Sequence, residues 1–296
     1  MRGERMQDGM TARALYQDVR RRLAQAGKPA FDAAYLLEKH VHLRREELPL
    51  RGDRPVPEAV RAALWADVER RAAGEPLQYL LGEWEFMGLP FKVGPGVLIP
   101  RPETELLAEA AIDYLKSCRP GGAVTRLLEL CAGSGCVAIS AARATGCEAV
   151  CLDYSTDALA YLRANITLHG LEGRVRAVEG DMLLPPHGAL SGPFDVLLCN
   201  PPYIRTGELP TLQAEVQREP VLALDGGEDG LRFYRALCTW VPVLHPGGML
   251  ACEVGMGQAE DVARLLADAG LQNVAVRNDY AGIGRMVRGF RASADQ

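Results

Sequence analysis

Phe194-Asp195-Val196-Leu197-Leu198-Cys199-Asn200-Pro201-Pro202-Tyr203 is an apolar run that stops at an amide, two prolines and an aromatic ring. Pro201 and Pro202 have no N–H for a strand ladder and a fixed φ, so the chain must leave a sheet there in an extended shape. The exit carries carbonyl acceptors with no donor of its own between them. Such a loop suits a flat NH2 group, held by its two hydrogens and covered by a ring. That points to chemistry on an amide or amino nitrogen.

Outward from this run, strand and helix alternate from about residue 100. Strands are expected at 126–130, 149–153, 175–180, 194–200 and 249–254, with two last ones at 274–278 and 286–290. Helices are expected near 102–117, 136–144, 156–168, 229–243 and 257–269. Short apolar strands separated by helices predict an α/β fold with a doubly wound, mostly parallel, Rossmann-like sheet. Upstream, residues 11 to about 73 read as a small helical module. Thr11 is placed to cap a helix bearing Leu15, Val19 and Leu23, Phe31, Ala34 and Leu37 mark a second, and Val60, Leu64 and Val68 a third that Gly74 ends. Trp84, Phe86, Phe91 and Val93 around Met87-Gly88-Leu89-Pro90 predict a β-hairpin connector. The expected organisation is therefore a helical domain over 1–75, a hairpin linker over 76–99 and the α/β domain over 100–296.

Composition narrows the function classes. The chain has 296 residues, 48% of them hydrophobic and 24% charged, which is enough to bury real cores. No apolar run approaches the length of a membrane span. Met1 to Met10 mixes acids with basic residues, unlike a secretory or transit peptide, and Met6 and Met10 offer alternative starts. None of the eight cysteines forms a CxxC pair and the five histidines show no ligand spacing, so neither a metal nor disulfides are expected. The net charge is −5; residues 1–82 carry 15 basic and 12 acidic side chains, the remainder 18 and 26. The acidic larger part argues against broad contact with nucleic acid.

Ligands of doubly wound sheets bind at the carboxyl ends of the strands, at the switch in strand order. There the first strand runs into Glu129-Leu130-Cys131-Ala132-Gly133-Ser134-Gly135, where small residues let backbone approach a ligand and a helix N-terminus follows. The loop lacks the G-x-G-x-x-G of nicotinamide sites. Asp153, at the end of the next strand, is placed either to accept from both ribose hydroxyls or to cap the following helix. Asp181 and Met182 follow the third strand, as an adenine amine acceptor with a packing partner or as a plain turn.

With these residues in view, the sequence resembles class I S-adenosylmethionine methyltransferases and, more narrowly, the HemK/PrmC family of protein-(glutamine-N5) methyltransferases. The resemblance covers nearly the whole chain. It rests on Pro76–Tyr79 with Gly82, Phe86–Gly88, Val97–Glu105, Glu129–Gly135, Asp153, Asn200–Tyr203, Glu219-Pro220, Ala223–Gly227, Gly247-Gly248 and Glu253–Gly255. Two departures stand out. Glu129 and Cys131 occupy positions where the family usually has aspartate and glycine, and Met182 one that is often aromatic. A cysteine is uncomfortable at 131 if the backbone there needs positive φ.

The resemblance implies transfer of a methyl group from S-adenosylmethionine to the glutamine nitrogen of the GGQ motif in peptide-chain release factors, leaving S-adenosylhomocysteine. It implies cofactor contacts from Glu129, Cys131, Ala132, Gly133, Ser134, Gly135, Asp153, Asp181, Met182 and Asn200. Asn200 and Pro201 would accept the two amide hydrogens and Tyr203 would stack on the amide, with Pro202 beside them. Arg101, Glu103 and Glu105 would face the substrate, although Pro102 and the two acids equally suit the first turn of a helix. Glu253, ending the fifth strand, is expected on the pocket wall. The helical module would dock the release factor, and the enzyme would be a cytoplasmic monomer. NPPY also occurs in enzymes that methylate adenine or cytosine amino groups, so a DNA or RNA methyltransferase is the alternative, and a non-catalytic binding protein of the same fold a third reading.

Overall fold

The computed structural model describes residues 10–118 and 124–293; the reading of residues 1–9 as leader or start falls outside it. The described chain divides into two units. One runs to Gly82 and takes in Ala214–Arg218; the other comprises Glu83–Gln213 and Glu219 onward.

In the first unit α1 (Ala12–Gln25) starts at Thr11, whose hydroxyl accepts from the Ala14 N–H at 3.2 Å, and it buries Leu15, Val19 and Leu23. In α2 (Asp32–Val41) the buried stripe is Ala33, Leu36, Leu37 and Val41. Phe31, expected in that stripe, precedes the helix and is 51% exposed, because the 3.6-residue period carries it off the buried face. Short α3 (Leu48–Arg51) leads to α4 (Glu58–Ala72), which buries Leu64 and Val68. The stretch from residue 76, expected with the hairpin, instead makes α5 (Leu77–Leu81). Pro76 suits its start, Gly82 ends it at φ 79°, and Leu77 and Leu80 join the helical core. Arg71 donates to Asp32 at 2.7 Å and, with Lys28, to Glu215. Burial pushes the Glu215 carboxyl up, but these hydrogen bonds outweigh it and hold the group at about 2.

The second unit opens with the hairpin β1 (Glu83–Phe86) and β2 (Leu89–Lys92), joined by Met87-Gly88 with both φ positive. It is part of this unit's core rather than a free connector, since Phe86 and Phe91 are buried against α6 (Glu105–Ser117), α7 (Cys136–Thr145) and α8 (Thr156–Leu168). Asn165 of α8, fully buried, accepts from the Lys92 N–H at 2.7 Å and donates to the carbonyls of Lys92 and Ser134. One side chain thus ties the hairpin to the loop that follows the first sheet strand.

The sheet contains β3 (Arg126–Leu130), β4 (Glu148–Asp153), β5 (Val175–Glu179), β6 (Phe194–Cys199), β7 (Leu244–Glu253), β8 (Leu271–Asn278) and β9 (Gly284–Arg291) in the order β5-β4-β3-β6-β7-β9-β8. The first five are mutually parallel, and β9 runs antiparallel to both neighbours. Alternation splits each strand between two cores. Leu127, Val196 and Leu198 face α6–α8, while Leu128, Leu197 and Cys199 face α9 (Arg232–Cys238) and α10 (Ala259–Asp268). This is the doubly wound, mostly parallel architecture. Strand order reverses between β3 and β6, the place where such sheets open a crevice.

Candidate active site

A cavity of about 320 Å³ opens at that reversal, within the range of small-ligand sites. Cys131, Ala132, Gly133, Ser134, Glu129, Asp153, Asp181, Met182, Asn200, Pro202 and Arg101 all line it. Most of the residues expected at the cofactor end therefore converge, although they come from four different strands.

The loop after β3 turns on left-handed backbone: φ is 55° at Cys131, 55° at Gly133 and 77° at Gly135. The discomfort expected at Cys131 is real, since a side chain there costs on the order of 1 kcal/mol. Its thiol packs 3.2 Å from the Met182 sulfur. Gly135 is not on the cavity wall; a Cβ there would lie 2.2 Å from Leu162 Cδ1, so it serves helix packing. The Gly133 N–H donates to Asp153 Oδ2 at 2.7 Å and the Ser155 N–H to Oδ1 at 2.9 Å. The helix itself is capped by the Ser155 hydroxyl, so Asp153 shapes the loop and keeps lone pairs on the cavity. Asp181 takes the Leu183 N–H in a turn and also faces the cavity.

Beneath the loop Glu129 accepts from the Ala138 N–H at 3.0 Å. Burial pushes its carboxyl up to about 8; the Ala138 bond opposes this and the Asp153 charge adds to it. Burial likewise raises Asp153 against the pull of the Gly133, Ser155 and Tyr154 amides.

The loop after β6 is held differently. Asn200 Nδ2 donates to the Thr104 hydroxyl at 3.3 Å. The Tyr203 carbonyl accepts from Gln258 at 3.0 Å, and Ile204 bridges to Asp225. Gly226 lies against this loop so closely that a Cβ would be 2.7 Å from Tyr203 Cα and 2.9 Å from the Pro202 carbonyl. No described residue donates to the Pro201 carbonyl. Glu219, buried and off the lining, pairs with Arg101 and accepts from the Ile99 N–H at 3.0 Å, which fixes the lining stretch Val97–Arg101.

Several expected contacts lie elsewhere. Glu103 and Glu105 are not on the wall; Glu105 begins α6 and accepts from the Met87 N–H at 2.8 Å. Pro201 and Tyr203 stand behind the lining, and the Tyr203 phenol donates to Glu253 at 3.4 Å. Glu253 is likewise behind the wall, not on it. Sequence reasoning missed Thr104, Asn165 and Gly226, which act through contacts remote in the chain. Thr104 and Gly226 lie inside stretches already noted, whereas Asn165 carried no local signal beyond its place in a helix.

A family profile described as "PrmC N-terminal domain" matches residues 14–82, and one described as "Conserved hypothetical protein 95" matches 80–227. A release factor glutamine methyltransferase of Moorella thermoacetica is 40% identical over 287 residues, covering 95% of this chain and 99% of its own. The chain belongs to the release factor glutamine methyltransferase family. Relatives with the same name from Gloeobacter violaceus (41% identical, 90% of this chain and 93% of theirs) and Deinococcus radiodurans (38%, 96% and 99%) agree. Among solved structures, the hMettl16 catalytic domain in complex with MAT2A 3'UTR hairpin 1 superposes with a TM-score of 0.55 at 12% identity, covering 90% of this chain and 91% of that one. That likeness is one of fold.

As a member of this family the protein is an S-adenosylmethionine-dependent methyltransferase. The donor set fits the cofactor. Asp153 would offer its carboxylate to ribose hydroxyls and Asp181 an acceptor to an amino group, and Val97, Leu152 and Phe233 would give a ring apolar walls. Among the described residues no group of His, Cys, Asp or Glu is placed to hold a metal, and no helix is long and apolar enough to cross a membrane.

Proposed function

We propose that the chain methylates the side-chain nitrogen of the glutamine in the GGQ motif of peptide-chain release factors. The carrying observation is a pair of acceptors without donors. The Asn200 amide has its NH2 turned to Thr104, so its oxygen is unclaimed, and the neighbouring Pro201 carbonyl, just behind the wall that Asn200 lines, has no partner among the described residues. Two such acceptors match the two hydrogens of a planar NH2.

Bound S-adenosylmethionine supplies an electrophilic methyl on a sulfonium. A glutamine nitrogen is a weak nucleophile because its lone pair is delocalised into the carbonyl, so alignment carries much of the rate. Asn200 and Pro201 orient the nitrogen and stabilise the positive charge that grows on it. Tyr203, expected to stack on the amide, instead stands behind the loop with its phenol on Glu253 and supports the loop from there. The proton leaves after transfer, so no strong base is needed beforehand and Asn200 is a positioner. The helical unit, residues 10–82, is the docking element for the release factor, and the enzyme works as a monomer in the cytoplasm. Acidic residues outnumber basic ones 26 to 18 beyond residue 82, which disfavours a nucleic-acid substrate.

The deciding experiment incubates the protein and S-adenosylmethionine with a release factor, or with DNA or RNA, and reads the products by mass spectrometry. One added methyl on the GGQ glutamine is expected. Methylated nucleobases with an unmodified release factor would overturn the assignment.

A further inference from the structure

Behind the cavity wall a short polar chain runs from Asn200 into the sheet. Glu253, the last residue of β7, is 4% exposed and Thr104 is 3% exposed. The Thr104 hydroxyl donates to Glu253 Oε2 at 2.5 Å, and the oxygen of that same hydroxyl accepts from Asn200 Nδ2. A hydroxyl has one hydrogen to give. With it committed to Glu253, only lone pairs face Asn200, so the amide must turn its NH2 inward. Reversed, the Asn200 oxygen would confront the Thr104 oxygen with no hydrogen between them. Asn200 Oδ1 receives no hydrogen bond from a described residue, and it is not among the sealed side-chain atoms that lack a partner. It is left accessible on a residue that lines the cavity.

We infer that Glu253 and Thr104 are positioning residues which, acting in series, fix the Asn200 amide with its oxygen toward the substrate and so tune the site to an NH2 donor. The inference rests on the role proposed above for Asn200 and adds what sets it.

Glu253 also titrates where this matters. Burial pushes its carboxyl up to about 7; the Thr104 bond lowers it, the Glu103 charge raises it, and Tyr203 and Arg285 of β9 lower it. Tyr234 of α9 donates to its backbone carbonyl at 3.0 Å, and the nearby Cys252 and Cys136 thiols are both raised by burial. A protonated Glu253 donates to Thr104, which frees the Thr104 hydrogen to point at Asn200 and turn the amide over. Turnover is then expected to rise with pH as Glu253 ionises.

Three variants test this. Thr104→Val keeps the shape and removes the hydroxyl, Thr104→Ser keeps the hydroxyl, and Glu253→Gln keeps the shape and removes the charge. In Thr104→Val, kcat is expected to fall about tenfold or more while S-adenosylmethionine affinity by calorimetry moves less than about threefold. Thr104→Ser is expected to restore most of kcat, and Glu253→Gln to abolish the rise in turnover through neutral pH. In the protein without cofactor or substrate, the Asn200 side-chain NH2 resonances are expected to titrate near neutrality and to stop doing so in Glu253→Gln. Equal impairment of the valine and serine variants, native-like turnover in Thr104→Val, or Asn200 resonances indifferent to pH would each overturn the inference. Asn200→Ala separates the two claims. Retained turnover there defeats the reading of Asn200 itself, whereas its loss beside an active Thr104→Val defeats only the positioning role.

Discussion

The loops after β3 and β6 meet at one cavity and are built by opposite means. The first bends through left-handed residues and is held by backbone amides, Gly133 on Asp153 and Ala138 on Glu129. The second is stiffened by two prolines and held by side chains and close backbone packing, through Thr104, Gln258 and Gly226. Each rests on a fully buried glutamate, Glu129 under one and Glu253 under the other. A backbone N–H cannot reverse its donor sense, whereas a hydroxyl can. The cofactor loop therefore tolerates exchange of side chains such as Cys131, while the loop at Asn200 depends on which way its polar groups point.

The contrast is broken most directly at Asn200. Asn200→Ala is expected to lower turnover about a hundredfold or more, the scale of a lost transition-state hydrogen-bonding group, while leaving S-adenosylmethionine affinity within about threefold. Turnover within a few-fold of native would remove the distinction between a binding loop and a reacting loop. Gly226→Ala comes next. Its Cβ meets backbone, not a mobile side chain, so about 1–3 kcal/mol of stability should be lost in denaturant melts, with turnover falling more than cofactor affinity. An unaffected melt would show that the loop after β6 yields easily.

Glu129 gives a pH signature. Its carboxyl titrates at about 8 in the folded chain against an ordinary 4.5. Between those values the folded state keeps a proton that the unfolded state has released, so stability falls as pH rises, by about 1.4 kcal/mol per pH unit from this group. Glu253 contributes in the same direction up to about 7. Glu129→Gln should flatten the dependence measured without ligand; parallel curves for native and variant would contradict the burial argument. The smallest effect is expected for Cys131→Gly. Relief of left-handed strain is offset by lost thiol packing and by the freer unfolded chain, for a net change within about 1 kcal/mol. A larger loss would make the Cys131–Met182 contact an important support of the loop.

Much of the architecture was legible because buried strands must be apolar. Arg126–Leu130 has the expected bounds. β7 begins at Leu244, earlier than expected, because His245-Pro246-Gly247-Gly248 carries no apolar alternation and the register shifts beside it. β8 is an edge strand with mostly exposed side chains, which hid its start. The helix expected over 229–243 is reduced to Arg232–Cys238, with a short 3-10 turn at Val241–Val243 where Pro242 cannot continue an α-helix. Two readings were open for Glu103 and Glu105 because an acid in the first turn of a helix suits the helix and a pocket equally well; the cavity wall includes neither acid, and Glu105 stands in the first turn of α6.

Local chemistry determined the elements, the exit of the chain at Pro201-Pro202 and the set of acids near the cavity, since each follows from neighbouring residues and a short period. The direction of the Asn200 amide and the choice of which buried acid supports which loop were decided only by the tertiary fold. Thr104 and Glu253 lie 149 residues apart, Asn200 and Thr104 lie 96 apart, and a hydrogen bond acquires its sense only once its partners are packed together.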